Sequence, residues 1–432
     1  MEATEIKRRY EAAVSDRRHI ESYWVDVENY VLPYRGNFYR TTVEENSIEL
    51  NSNEERYDDT AVYAAQTLAS SIQGSLTSFT SKWFEFQFKN KEFRNDQEAV
   101  AWLQEVSDIT YGEIVSSNFA LETAETYVDI VGFGSSILTE EELTDSEDNY
   151  IGLDFRSIPV VDGYFDEDEK GQILNFYRKL NWTALQIIDK LGDDNIPEKI
   201  RQCAKSDQAG VDKFHVVFCV YKRDISSQTE DVLMPVAKEE RAYGYKYVFY
   251  DTCEVIGQEG GYYEQPAFIA RWRKTNDSKW GNSPAMKAMA TIKTANDIVR
   301  MTLTQLGKVI NPATLVTERG LVGDLDLEEN GMTVVRSLDD IREYESKARF
   351  DVGGLQLALL QDSIRQGFFI DQLALKDSPA MTATEVQVRW QLMQRLLGPT
   401  MGRLESNVFS PLLHRAFNIL ARAGKYPDPP QS

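Results

Sequence analysis

Apolar residues recur every three to four positions near the start of the chain: Ile6, Tyr10, Ala13, Val14, Ile20, Tyr23, Trp24, Val27 and Val31. That period predicts one long helix over 2–35, packed through its stripe and stopped at Leu32-Pro33. Residues 36–56 are polar and weakly patterned. A second helix, rich in Ala, Ser and Gln, is predicted from about Asp58 to Ser78. Trp83-Phe84-Glu85-Phe86-Gln87-Phe88 alternates as a strand does, and helices are expected at 96–117 and 120–132. From Gly134 to about Lys274 the pattern becomes β-rich, in ILTEEEL, YIGLDFRSIPV, GQILNFYRKL, KFHVVFCVYKR, YKYVFYDTCEVIG and AFIARWRK. Short helices near 182–191 and 197–205 interrupt it.

At Trp280-Gly281-Asn282-Ser283-Pro284 the pattern switches again. Ser283 is placed to cap a helix whose first position is Pro284, where a missing N–H costs little. That helix is expected over 284–310, about 40 Å at 1.5 Å per residue, ending at Asn311-Pro312. ATLVTERG and GMTVVRSL read as short strands, and Gly353-Gly354 precede a helix at 355–367. Residues 368–381 read as a loop. Thr382-Ala383-Thr384-Glu385 forms a capping box in which Thr382 accepts from the Glu385 amide and Glu385 reaches back. Helices are expected from there to about 397 and again over 400–424. The fold class is therefore α+β.

Composition narrows the function classes. The chain has 432 residues, 42% of them hydrophobic, which is enough for more than one packed unit. No stretch reaches the roughly eighteen apolar residues of a membrane span, and the start has no apolar signal core. Cys203, Cys219 and Cys253 are widely spaced, with no CxxC pair, so neither a disulfide framework nor a zinc site is expected. The balance of 47 basic and 69 acidic residues, net −22, argues against a surface that grips nucleic acid. For a protein that meets DNA at all, such acidity fits one that lets it slide past better than one that clamps it. No GxxxxGK[ST] loop is present, and Gly257-Gln258-Glu259-Gly260-Gly261 lacks a strand-to-helix frame. His19, His215 and His414 stand apart from any nucleophile motif and read as core or surface residues. Glu140-Glu141-Glu142 and Asp166-Glu167-Asp168-Glu169 lack calcium-loop spacing and read as solvated turns. No catalytic residue, metal or cofactor is expected.

Six pieces in order carry a resemblance. They are Trp24-Val25-Asp26 to Leu32-Pro33; Asp58-Asp59-Thr60-Ala61 to Leu68-Ala69-Ser70; Leu76-Thr77-Ser78 leading to Trp83-Phe84; Trp280-Gly281-Asn282-Ser283-Pro284-Ala285-Met286; Asn311-Pro312; and Met381-Thr382-Ala383-Thr384-Glu385-Val386. Together they resemble the head-to-tail connector, or portal, family of short-tailed double-stranded DNA bacteriophages. The resemblance implies a ring, usually of about twelve subunits, with wing, stem, clip and crown around an axial channel. It maps 1–280 to the wing (helical 1–133, β-rich 134–280), 281–310 to a stem helix and 311–352 to the clip. It maps 353–368 to a second stem helix and 369–432 to a channel loop and wing helices. Crown elements follow the segment matched by Gly424-Lys425-Tyr426-Pro427 in the family, so with Ser432 as the last residue the expectation is either an absent crown or a shortened sequence.

The implied partners are further copies of the chain, a packaging motor (terminase), tail adaptors, capsid and scaffold proteins, and passing duplex DNA. The implied place is the head–tail junction of the virion, after assembly in the host cytoplasm, with no membrane role. Lys293, Arg300 and Lys308 share roughly one face of the long helix, and with Gln372 and Lys376 of the channel loop they are the channel-lining candidates. A solvated face making local ion pairs, and an ordinary exposed loop, are the plainer readings. Two other functions compete: a tail adaptor or other virion structural protein, and a metal-dependent hydrolase using the acidic runs.

Overall fold

In the computed structural model the chain is described over residues 1–33, 35, 56–78, 81–145, 149–169, 171–192, 195–223, 236–275, 278–310, 314–316, 341–343, 350–370 and 397–430. The first predicted helix is α1 (Ala3–Tyr30), followed by α2 (Thr60–Leu76), α3 (Lys91–Arg94), α4 (Gln97–Ser116) and α5 (Phe119–Phe133). Gly134 ends α5 in the left-handed region, at φ 76°, which glycine adopts without a Cβ penalty.

Two sheets follow. In the first, β1 (Ser135–Thr144) lies between β2 (Tyr150–Ile158) and β8 (Ala267–Arg271), antiparallel to both. The second is a meander of β3 (Gly163–Glu167), β4 (Ile173–Thr183), β5 (Lys213–Lys222), β6 (Tyr243–Phe249) and β7 (Glu254–Tyr262). The two short helices interrupt it as expected, α6 (Ala184–Leu191) and α7 (Glu198–Ala204). A capping box closes α6, with Thr183 and Gln186 bonding each other's main-chain N–H. The small hairpin β9 (Lys274–Thr275) and β10 (Ser278–Gly281) leads into α8 (Pro284–Ile310).

α1 joins the two halves. Ile6, Tyr10 and Ala13 pack on Tyr164, Tyr177, Val217, Cys219 and Val248 of the second sheet, while Ile20, Trp24 and Val27 enter the main core. Between them Arg17 is buried. It donates to Val160 O, Gly163 O and the Tyr164 hydroxyl, so its cost of burial is offset by hydrogen bonds and by the Glu21 carboxylate at 2.8 Å.

The structure corrects four expectations. Trp83–Phe88 alternates in side-chain exposure but belongs to no sheet; its aromatic rings pack on helices instead. The helix expected at 355–367 is α9 (Phe350–Gly367) and includes both glycines that were read as its boundary. Neither glycine is required by space: a Cβ at Gly353 would only reach ordinary contact with Thr302 of α8, at 4.0 Å, and one at Gly354 would meet nothing. The last helix is not a continuous α-helix. Residues 397–404 pass through a π-helical turn, Glu405–Phe409, into α10 (Ser410–Arg422). Finally, Glu140 and Glu167 are in strands and not in solvated turns, with Glu140 fully buried and Glu167 paired to Arg271 and Lys274.

Between α8 and α9, β11 (Thr314–Val316) pairs antiparallel with β12 (Ile341–Glu343). The first lies in the expected ATLVTERG strand, while GMTVVRSL lies outside the described residues.

Candidate channel helices and their anchorage

α8 begins as its sequence predicts, with the Ser283 hydroxyl accepting from the Met286 amide at 2.9 Å and Pro284 as first residue. Its base is fixed by a close crossing of two glycines. A Cβ at Gly281 would meet Gly134 O at 2.0 Å, and one at Gly134 would meet Gly281 O at 2.5 Å. Beside the crossing, Trp24 stands edge-on to Trp280 at 5.0 Å, Trp280 to Phe165 at 4.7 Å, and Trp24 Nε1 donates to Phe133 O at 2.8 Å. Contacts of this type between fully buried rings join α1, α5, the second sheet and the β9–β10 hairpin that leads into α8.

Further along, Asn296 is buried and its side-chain oxygen accepts the main-chain N–H groups of Tyr57 (2.6 Å) and Asp58 (3.3 Å). Asp58 in turn accepts from Gln361 of α9 at 2.9 Å and from Thr60 at 2.9 Å. Residues 57–60 therefore tie α8, α9 and the start of α2 together. Sequence reasoning missed Asn296 and Asp58; a polar Asn on the apolar side of a helix was the available signal.

The apolar face of α8 behaves differently in its two halves. Ala285, Ala288, Met289, Ile292 and Ala295 are buried in the main core. The same face, at the same spacing of three and four, continues through Val299, Leu303, Leu306 and Ile310, where Leu303 is 50%, Leu306 43% and Ile310 75% exposed. On α9, Ile364 is buried whereas Leu355 and Leu359 are exposed. From Leu303 to Ile310, about 11 Å of helix at 1.5 Å per residue, these apolar side chains are exposed, with no cover among the described residues. Exposed patches of this kind mark interaction surfaces.

The basic candidates occupy another face. At 100° per residue Lys293, Arg300 and Lys308 fall within about 80° of arc, turned away from both the apolar stripe and the Thr302 side that meets α9. The structure separates them chemically. Lys293 bonds Asp26 of α1 at 2.7 Å, its Nζ also 5.7 Å from the Tyr30 ring. Arg300 pairs with Asp297 one turn earlier at 3.0 Å, both half exposed; such a pair is the plainer reading of this face. Lys308 is exposed and has no ion pair among the described residues. Gln372, Lys376, Thr382, Glu385, Asn311 and Pro312 lie outside the described residues.

A second feature clamps the end of the chain to the first sheet. From α10, Arg415 donates to Glu264 O (2.9 Å) and Glu140 O (3.3 Å), and Arg422 grips the Glu264 carboxylate with both terminal nitrogens at 2.9 and 3.2 Å. Asn418 donates to the same carboxylate at 3.0 Å. Glu140 is left out: it is fully buried, neither carboxylate oxygen has a hydrogen-bond partner among the described residues, and the Arg415 Nε is 4.0 Å away. Burial pushes its carboxyl up to about 8, Arg415 pulling the other way, so it is held largely neutral at pH 7.

Among the described residues no three His, Cys, Asp or Glu side chains are grouped to hold a metal ion. No described helix is long and apolar enough to cross a membrane. His215 is half-buried and stacked on Tyr250 at 4.4 Å, and desolvation lowers it to about 4.

Against known proteins, the family model described as "Bacteriophage head to tail connecting protein" matches residues 3–432. The chain is 22% identical over 435 residues to the probable portal protein of Bordetella phage BPP-1, covering 96% of this chain and 74% of that one. It is 21% identical over 436 residues to the portal protein of Salmonella phage epsilon15, with the same coverages.

Proposed function

The chain belongs to the bacteriophage head to tail connecting protein family, and on that premise we propose that its copies close into a ring whose waist is built from α8 and α9. The ring is the DNA conduit at the head–tail junction, used in packaging and ejection. The observation that carries this reading is the apolar face of α8, buried up to Ala295 and uncovered from Leu303 to Ile310. A neighbouring copy in a head-to-tail contact covers it, and repetition of one heterologous contact closes a ring.

In this arrangement the face carrying Arg300 and Lys308 turns toward the channel. Sparse cations there, with Asp297 interleaved, give weak and salt-dependent contact with phosphates, so that DNA is centred without being held. The net charge of −22 per copy makes ring closure sensitive to ionic strength, because like-charged copies approach one another more easily when screened. The β11–β12 hairpin beyond α8 is the meeting point for the packaging motor and tail proteins.

The test is a double variant, Leu306→Asp with Ile310→Asp. Both positions are exposed, so the subunit keeps its thermal unfolding midpoint. Two charges placed in a closed apolar seam cost several kcal/mol per contact, so the ring is lost. Rings formed as readily by the variant as by the wild type would remove the α8 seam from the account.

A further inference from the structure

Trp83–Phe88 has the sequence of a strand but no strand beside it among the described residues. The rings of Phe84, Phe86 and Phe88 pack on Tyr111, Phe417 and Phe93 at 6.1, 5.6 and 5.6 Å, while Glu85 and Gln87 are exposed. In a strand, alternate residues direct their main-chain N–H and C=O to opposite edges. The even edge is occupied by the chain itself: Phe86 N donates to Ser107 Oγ at 3.1 Å and Phe88 O accepts from Arg94 Nε at 2.6 Å. The odd edge, at Trp83, Glu85 and Gln87, meets no main-chain partner among the described residues.

A second open edge exists elsewhere. β1 outruns its neighbour β8, whose register ends at Thr139 opposite Ala267. The last main-chain bond on that side is Glu140 N to Pro266 O. Beyond it Glu141, Glu142, Leu143 and Thr144 are all exposed. The edge of β2 is treated differently. Asn118 bonds both main-chain groups of Phe155, and Glu122 accepts from the Ser157 amide, which blocks it against pairing as edge strands usually are.

The β1 arm is acidic, and the orphan segment, which carries one acid at Glu85, runs into a basic stretch. The β1 arm carries Glu141, Glu142 and Asp145. The orphan segment is flanked by Lys89 and Lys91, which are exposed and make no ion pair among the described residues. We propose that the open edge of the β1 arm in one copy adds to the odd edge of Trp83–Phe88 in the next, a strand shared between neighbouring subunits. This rests on the ring reading and adds a second contact, separate from the α8 seam.

The experiment compares hydrogen exchange in the wild-type chain as monomer and as assembled ring, and measures ring yield for two variant sets. Exchange in the peptide spanning Glu85 and Gln87 is expected to slow about tenfold or more on assembly. Glu141→Lys with Glu142→Lys should lower ring yield several-fold, and adding Lys89→Glu with Lys91→Glu should restore it. All four positions are exposed, and an unchanged thermal midpoint confirms that each variant folds. A ring whose 83–88 peptide exchanges at the monomer rate, or a charge reversal that the second pair fails to rescue, overturns the shared strand while leaving the ring reading intact. A wild-type chain that never assembles overturns both.

Discussion

Replacing Glu140 by Gln keeps the shape of the side chain and removes its ability to ionise. Burial raises the folded-state carboxyl from 4.5 to about 8, against the pull of Arg415 and Arg422 and with the push of Glu264. A raised acid makes the folded state bind more protons than the unfolded one. Stability therefore falls as pH rises from about 4.5, and the loss is complete once pH passes about 8. At about 1.4 kcal/mol per pH unit, the penalty is under about 1 kcal/mol at pH 5 and on the order of 4–5 kcal/mol at pH 9. Solvent screening is slight, since the group is fully buried. Glu140→Gln should match the wild type near pH 5 and exceed it in urea midpoint at pH 9. Parallel pH profiles for the two proteins, or a variant weakened at every pH, would refute the reasoning. Either result would mean that an ionised Glu140 is held productively by Arg415.

Other positions give sharper structural tests. Arg35 bonds the buried Asp129 at 2.6 and 3.1 Å, so Arg35→Ala leaves an uncompensated carboxylate and should cost about 3–5 kcal/mol, with Asp129→Asn costing less; urea unfolding of both variants decides. Gly281→Ala drives a Cβ to 2.0 Å from Gly134 O, and a loss of about 3 kcal/mol or more is expected by the same assay. Trp24→Ala empties the aromatic base of α8 and should cost about 3–5 kcal/mol.

The helices and most strands were legible because each is amphipathic at its own period. The Ser283-Pro284 start of α8 was legible because capping chemistry is local. Trp83–Phe88 was misread because alternation reports which side chains are buried and says nothing about whether a partner strand exists. The start of α9 was misplaced because Gly353-Gly354 looked like a boundary, whereas the pair sits inside the helix. Glu140 was misread for a related reason. In an EEE run the three carboxylates look alike, and only the pairing of β1 with its neighbours shows that the first points inward under α10 and the next two do not. Of the channel candidates, Lys293 could not be separated from Arg300 and Lys308 by spacing, because its partner Asp26 is far away in sequence.

The central claim is that copies of this chain form a closed ring. The most direct test is the mass of the largest stable assembly by native mass spectrometry across a salt series, with negative-stain images of the same samples. A closed assembly of about twelve copies with a central hole, whose yield rises with screening, is the predicted result. A strict monomer at every salt concentration would contradict it.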